Sequence, residues 1–179
     1  MATTQMAHAH DQQIAPRLQK RQGHAVREGV TIGLLGALAV MLAFFIADLV
    51  AGVPLRTPGL LGAALFHGAR DPGDAAITVS NVLGYTVFHV LGFVAFGLGV
   101  SGLFALAERE KRVLSLVLLL GACLATGGAL TAYFVAQWIS EAVTPWVFLA
   151  AHILAGATMV ALLFYFHRRL LREFPAAAD

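Results

Sequence analysis

The stretch "VTIGLLGALAVMLAFFIADLV", residues 30–50, decides the fold, because it carries one charged residue, Asp48, in a run long enough to cross a bilayer. A helix rising 1.5 Å per residue needs about 20 apolar residues to span the hydrocarbon core. Three further runs meet that length, at residues 77–106, 113–139 and 146–166. The whole chain agrees: of 179 residues, 59% are hydrophobic and only 12% are charged, far from soluble averages. The expected fold is all-α: four transmembrane helices in an up-down antiparallel bundle, with a short external interfacial helix between the first and second spans. The expected organisation is an N-terminal arm at 1–28, a transmembrane domain at 29–167 and a tail at 168–179.

The basic residues orient the bundle. Arg17, Lys20, Arg21, Arg27, Arg109, Lys111, Arg112, Arg168, Arg169 and Arg172, ten of the twelve, fall on one side, leaving Arg56 and Arg70 on the other. The positive-inside rule then predicts cytoplasmic termini, a cytoplasmic turn at "EREKR", and external segments at 51–76 and 140–145, in a bacterial inner membrane. The N-terminal arm is too long and polar for a signal peptide, so the first span is expected to stay in the mature protein. That arm and the "PAAAD" tail are the flexible candidates. His8, His10 and His24 lie scattered in the arm, a pattern that more often reflects a polar segment than a metal site.

The external stretch "TPGLLGAALFHG", residues 57–68, predicts a short helix. Thr57 can cap it, Pro58 suits its first position and Gly68 can stop it. Leu60, Leu61, Ala64 and Leu65 share one face, so this helix is expected to lie along the outer interface and meet another subunit there. Each span also carries small residues: Gly29, Gly33 and Gly36 in the first, Gly92, Ala95 and Gly99 in the second, Gly121 and Gly128 in the third, Ala151 and Ala155 in the fourth. Such faces let helices approach closely in lipid, where no hydrophobic gain draws them together.

Ionisable residues inside spans are costly, and each is a functional candidate. There are three: Asp48, His89 in "YTVFHVLGF", and His152. The second and fourth spans run in the same direction, and His152 stands seven residues after Pro145, about 10 Å along a helix. His89 reaches a similar depth if its span enters near Asn81. One reading is a b-type haem held by two axial imidazoles, with Gly92 and Gly156 leaving room one turn away. The favoured reading is structural: neutral imidazoles bonded to neighbouring spans, with Tyr85, Thr86, Asn81 and Ser101 among the candidate partners. Asp48 is expected to form an ion pair with Arg56 or His89. A proton relay is disfavoured, because the other half of every span lacks acids and imidazoles.

Other chemistry finds no support in the pattern. Cys123 is the single cysteine, which excludes an intramolecular disulfide and a thiolate cluster. No hydrolase, kinase, zinc-helix or dinucleotide motif occurs, and "GLGVSG" reads as a packing sequence. No nucleic-acid partner is expected.

At "ADLVAGVPLRTPGLLGAALFHG" and "LGYTVFHVLGFVAFG" the chain resembles a group of small bacterial four-span integral membrane proteins with no assigned activity. The shared features are an acid closing the first span, a glycine-proline segment with a threonine-proline pair, and tyrosine-threonine and phenylalanine-histidine pairs opening the second. The resemblance covers residues 28–110. It implies the topology and directs attention to Asp48, Thr57, Pro58, Tyr85 and His89, without implying a mechanism. Small size, the lack of a soluble domain and packing faces on every span lead to one functional expectation: a non-catalytic accessory subunit of an energy-converting complex, photosynthetic or respiratory. Its expected partners are other membrane subunits and lipid, quinone or pigment at the interface. No cofactor is expected, with haem b at His89 and His152 as the alternative.

Overall fold

A computed structural model describes the backbone of residues 2–71, 73, 75–107 and 145–166, and the side chains of 23–71, 73, 75–105 and 146–166. Four helices make up this part of the chain: α1 (Ala2–Val50), α2 (Arg56–His67), α3 (Val79–Ala107) and α4 (Pro145–Phe166). Three contain segments long and apolar enough to cross a membrane, at Gly23–Val50, Val79–Ala105 and Trp146–Phe166. The span expected at 113–139, with Cys123, lies outside the described residues, as do the "EREKR" turn and the tail.

The N-terminal arm departs from expectation. Residues expected to be flexible continue the first span as one helix from Ala2. Much of the segment is Ala, Gln, Arg, Lys and Leu, which favour helix without needing a buried face. Pro16 is accommodated although it cannot donate to the preceding turn.

Local chemistry fixes the ends. Gly52, at φ 74°, closes α1 in the left-handed conformation. Its N–H donates to the Leu49 carbonyl at 3.1 Å and that of Val53 to the Asp48 carbonyl at 2.9 Å, a Schellman motif. Gly68 (φ 66°) closes α2 as the sequence predicts, donating to the Ala64 carbonyl at 3.1 Å. The start of α2 differs. The helix begins at Arg56 after Leu55, which takes φ 64° and supplies no side-chain cap, so Thr57 and Pro58 lie inside the first turn. Thr78 caps α3 by accepting the Asn81 N–H at 3.2 Å, and Pro145 opens α4.

α1 is the central helix of the described set. It packs along both α3 and α4, while α3 and α4 make no broad contact with each other. The α1–α3 seam is a backbone contact. A Cβ on Gly33 would fall 2.5 Å from the Phe93 carbonyl oxygen, one on Gly29 2.7 Å from the Leu98 Cα, and one on Gly97 would strike the Gly29 carbonyl. These three glycines permit the approach. Beside the seam and beyond it, apolar side chains pack around α1. Ile32, Val100, Phe104, Met159 and Leu163 form one cluster, and Val40, Phe44, Phe148, Ala151 and Ala155 another, with Phe93 packed against both.

Candidate functional site

The polar side chains gather at the end of the bundle where α1 turns into α2. Asp48 is buried, and both of its oxygens are used by one residue. The Thr57 N–H donates to Oδ2 at 2.7 Å and the Thr57 hydroxyl to Oδ1 at 2.6 Å. The carboxylate closing α1 thus caps the first turn of α2 from nine residues away, at the end of the helix dipole that favours negative charge. It also holds a turn containing a left-handed leucine, a conformation that costs on the order of 1–3 kcal/mol. This corrects the expected ion pair: Asp48 is bonded through Thr57, and neither Arg56 nor His89 supplies a bond to it among the described residues.

A second clamp joins α2 to α3. His67 Nε2 lies 3.0 Å from Asn81 Oδ1, so its N–H donates there, and Asn81 Nδ2 donates to the Ala76 carbonyl at 2.9 Å. Gly62 lies against the Asn81 backbone so closely that any Cβ would strike its carbonyl. Leu60 and Leu61 are buried here, against Ala64, Ala75 and Tyr85. The α2 face expected to meet another subunit is therefore divided: Leu61 faces the chain's own core, while Leu65 and Phe66 are half exposed. Apolar residues on both sides of a short helix do not reveal in sequence which side the chain covers itself. At the other end of α3, the Ser101 hydroxyl donates to the Ala25 carbonyl at 2.8 Å, tying α3 to α1 in keeping with a packing role for "GLGVSG".

The two histidines stand apart from these clamps. His152 Nδ1 lies 2.8 Å from the carbonyl oxygen of Phe148, one turn earlier, and its ring stacks on Phe148 at 4.3 Å between centroids. His89 Nδ1 lies 3.5 Å from Tyr85 Oη, also one turn earlier, at the outer limit of a hydrogen bond. His89 Nε2 is buried and has no hydrogen-bond partner among the described residues. The expected bonds to neighbouring spans are thus absent among the described residues, and both imidazoles are oriented from their own helices. Ring centroids of Phe93 and Phe44 lie 4.7 Å from His89 and 6.4 Å from His152 respectively, apolar neighbours of the two imidazoles among the described residues.

The structure therefore joins Asp48 with Thr57, Tyr85 with His89, and Tyr85 with the cluster of Leu60 and Leu61. His67 and Asn81 are a pair that sequence reasoning did not join. Their only sequence signal was position, since one ends a predicted helix and the other begins the next. No group of three His, Cys, Asp or Glu that could hold a metal occurs among the described residues, which leave the side chains of His8 and His10 outside. Comparison with family models, curated proteins and solved structures finds no match to this chain.

Proposed function

We propose that the chain is a non-catalytic accessory subunit, packed among other transmembrane subunits of an energy-converting assembly, photosynthetic or respiratory, in a bacterial inner membrane. In this reading it spans the membrane four times in an up-down bundle, with cytoplasmic termini and α2 on the outer surface. Ten of twelve basic residues on one side support the orientation.

One observation carries the proposal. α2 is fixed on three sides, by Asp48 at its start, by the Gly62–Asn81 contact at its middle and by His67 at its end, yet it holds Leu65 and Phe66 outward. The Phe66 ring lies against Gly84, beside exposed Leu83 on α3. A short helix held this firmly with bulky apolar residues outward is suited to contact a neighbour. Asp48, Thr57, Asn81 and Ser101 are meanwhile used up in bonds within the chain, which supports a structural role for the polar residues.

The test is co-purification from native membranes in mild detergent. The wild type is expected to migrate with larger subunits recognisable by their pigment or redox absorption. L65D/F66D is expected to insert normally and migrate alone. A wild type that runs alone at every stage removes the proposal.

A further inference from the structure

The register of the helices fixes how deep α2 reaches. α1 is antiparallel to α3, with Gly29 against Leu98 and Gly33 against Val94, and to α4, with Gly36 against Met159 and Phe44 against Phe148. From Gly33 to Asp48, and from Val94 back to Val79, is the same number of residues, about 22 Å of helix, so Asp48 and Val79 stand level. Trp146, just before Phe148, is level with Ile46, within one turn of Asp48. Trp146 and Tyr165 are exposed at the two ends of α4, about 28 Å apart along the helix, close to the thickness of a hydrocarbon core. Exposed aromatic rings gather at both membrane surfaces, so in the proposed orientation Asp48, Val79 and Trp146 mark the outer one.

α2 begins at that level, where Thr57 is bonded to Asp48, and does not lie flat across it. Gly59 lies against the Ile77 side chain, Gly62 against the Asn81 backbone, and the Phe66 ring against Gly84. The step from 59 to 66 on α2 thus matches the step from 77 to 84, and the two segments run side by side in the same direction, toward the middle of the bundle. Gly84 lies beyond Val79 on α3, which sets Phe66 about 8 Å below the level of Trp146.

Leu65, Phe66, His67 and Gly68 are all exposed there, and they present acceptors as well as apolar surface. A helix leaves its last carbonyls without donors of its own. The N–H groups of Gly68 and Ala69 turn back to the carbonyls of Ala64 and Ala63, so those of Leu65, Phe66 and His67 depend on donors beyond the helix. His67 donates through Nε2 to Asn81, which leaves Nδ1 of the neutral ring as an acceptor. Hydrocarbon satisfies none of these groups, and irregular backbone at membrane depth is tolerated only against protein or water. We infer that the end of α2, Leu65 to Gly68, lies below the outer membrane surface and seats a transmembrane helix of a partner subunit that presents hydrogen-bond donors to it. This rests on the accessory-subunit reading and names the partner's chemistry: apolar side chains against Leu65 and Phe66, and a hydroxyl, amide or indole N–H toward His67 and the carbonyls. In the isolated chain, water takes that place.

The test has two arms. In the first, the purified full chain with C123S and one further cysteine, P58C or L65C, carries a bimane label and is reconstituted in phosphatidylcholine vesicles containing lipids with a nitroxide on the headgroup or on the upper acyl chain. The label at 58 is expected to be quenched more by the headgroup nitroxide and the label at 65 more by the acyl-chain nitroxide, with R56C repeating the first position if P58C fails to insert. Both labels quenched most by the headgroup nitroxide would mean that α2 lies flat on the surface, and would overturn the inference. In the second arm, benzoylphenylalanine replaces Phe66 in native membranes, and the cross-linked peptide is mapped by mass spectrometry. It is expected to come from a membrane-spanning segment of another subunit that bears a Ser, Thr, Asn, Gln or Trp. A peptide from an extramembrane domain, adducts to lipid alone or no adduct removes the proposed partner. The first arm needs no partner, so the depth of α2 and the accessory role fail separately.

Discussion

Asp48 ends the first apolar helix and, through two bonds of 2.7 and 2.6 Å, holds both the N–H and the hydroxyl of Thr57 in the first turn of α2. Hydrogen bonds to a charged group contribute about 1.5–3 kcal/mol each, and an unpaired buried donor costs about 1–3 kcal/mol. Asp48→Ala is therefore expected to lower stability by several kcal/mol, and Thr57→Val, which keeps the N–H bond, by about half as much. The double variant should be little worse than Asp48→Ala, because the hydroxyl has no partner once the carboxylate is gone. Unfolding of the four proteins in detergent measures the cycle. Additive effects would separate the two residues energetically.

The glycine seam gives a second contrast. Gly33→Ala would place a methyl group 2.5 Å from the Phe93 carbonyl oxygen, with backbone on both sides and no flexible side chain to yield. Overpacking of this kind costs about 1–3 kcal/mol. Gly99→Ala meets nothing within 4 Å among the described residues and should be neutral or gain about 0.5–1 kcal/mol of helix propensity. Thermal midpoints of the two variants check the expectation, and equal midpoints would show that the seam tolerates separation.

These two cases mark what the sequence could and could not disclose. Length and hydrophobicity expose the helices at 30–50, 77–106 and 146–166, because lipid tolerates little else over such a distance, and Gly68 announces the end of α2. The same letters do not separate Gly33, in backbone contact, from Gly92, which meets no neighbour among the described residues, because that difference belongs to the partner helix. Asp48 invites a search for a cation, yet a helix start nine residues away offers an N–H and a hydroxyl at shorter reach. The imidazoles are similar: sequence suggests partners across the bundle, whereas a carbonyl or tyrosine one turn back is always within reach on a helix. The helical arm shows no apolar periodicity and contains Pro16, so nothing in its pattern announces continuity with α1.

The proposed orientation places both termini in the cytoplasm. In a C123S background, Q5C and A176C are expected to resist an impermeant thiol reagent in intact cells and to react after lysis. Labelling of either from outside reverses the assignment of α2 to the outer surface and removes the basis for an external contact there.

The division of α2 between Leu61 and Leu65 gives a prediction that connects fold to role. Leu61 is 6% exposed and packs beside Leu60, near Tyr85, so Leu61→Asp would place an unpaired carboxylate in the chain's own core. Burial of an unpaired charge is among the few mechanisms that destabilise by more than about 4 kcal/mol. Leu65 is 46% exposed, and a carboxylate there can remain in water when the chain is alone. Leu65→Asp should therefore leave the unfolding midpoint of the isolated chain within about 0.5 kcal/mol of wild type, as surface substitutions do. In the assembly the same carboxylate would be buried against a neighbour, and binding should weaken about tenfold or more, from a desolvation cost of at least about 1.4 kcal/mol. The discriminating measurement pairs a melt of the isolated chain with recovery of the complex. Loss of the complex with an unchanged melt supports a contact at Leu65, whereas an intact complex with Leu65→Asp would leave α2 as a cap over its own bundle.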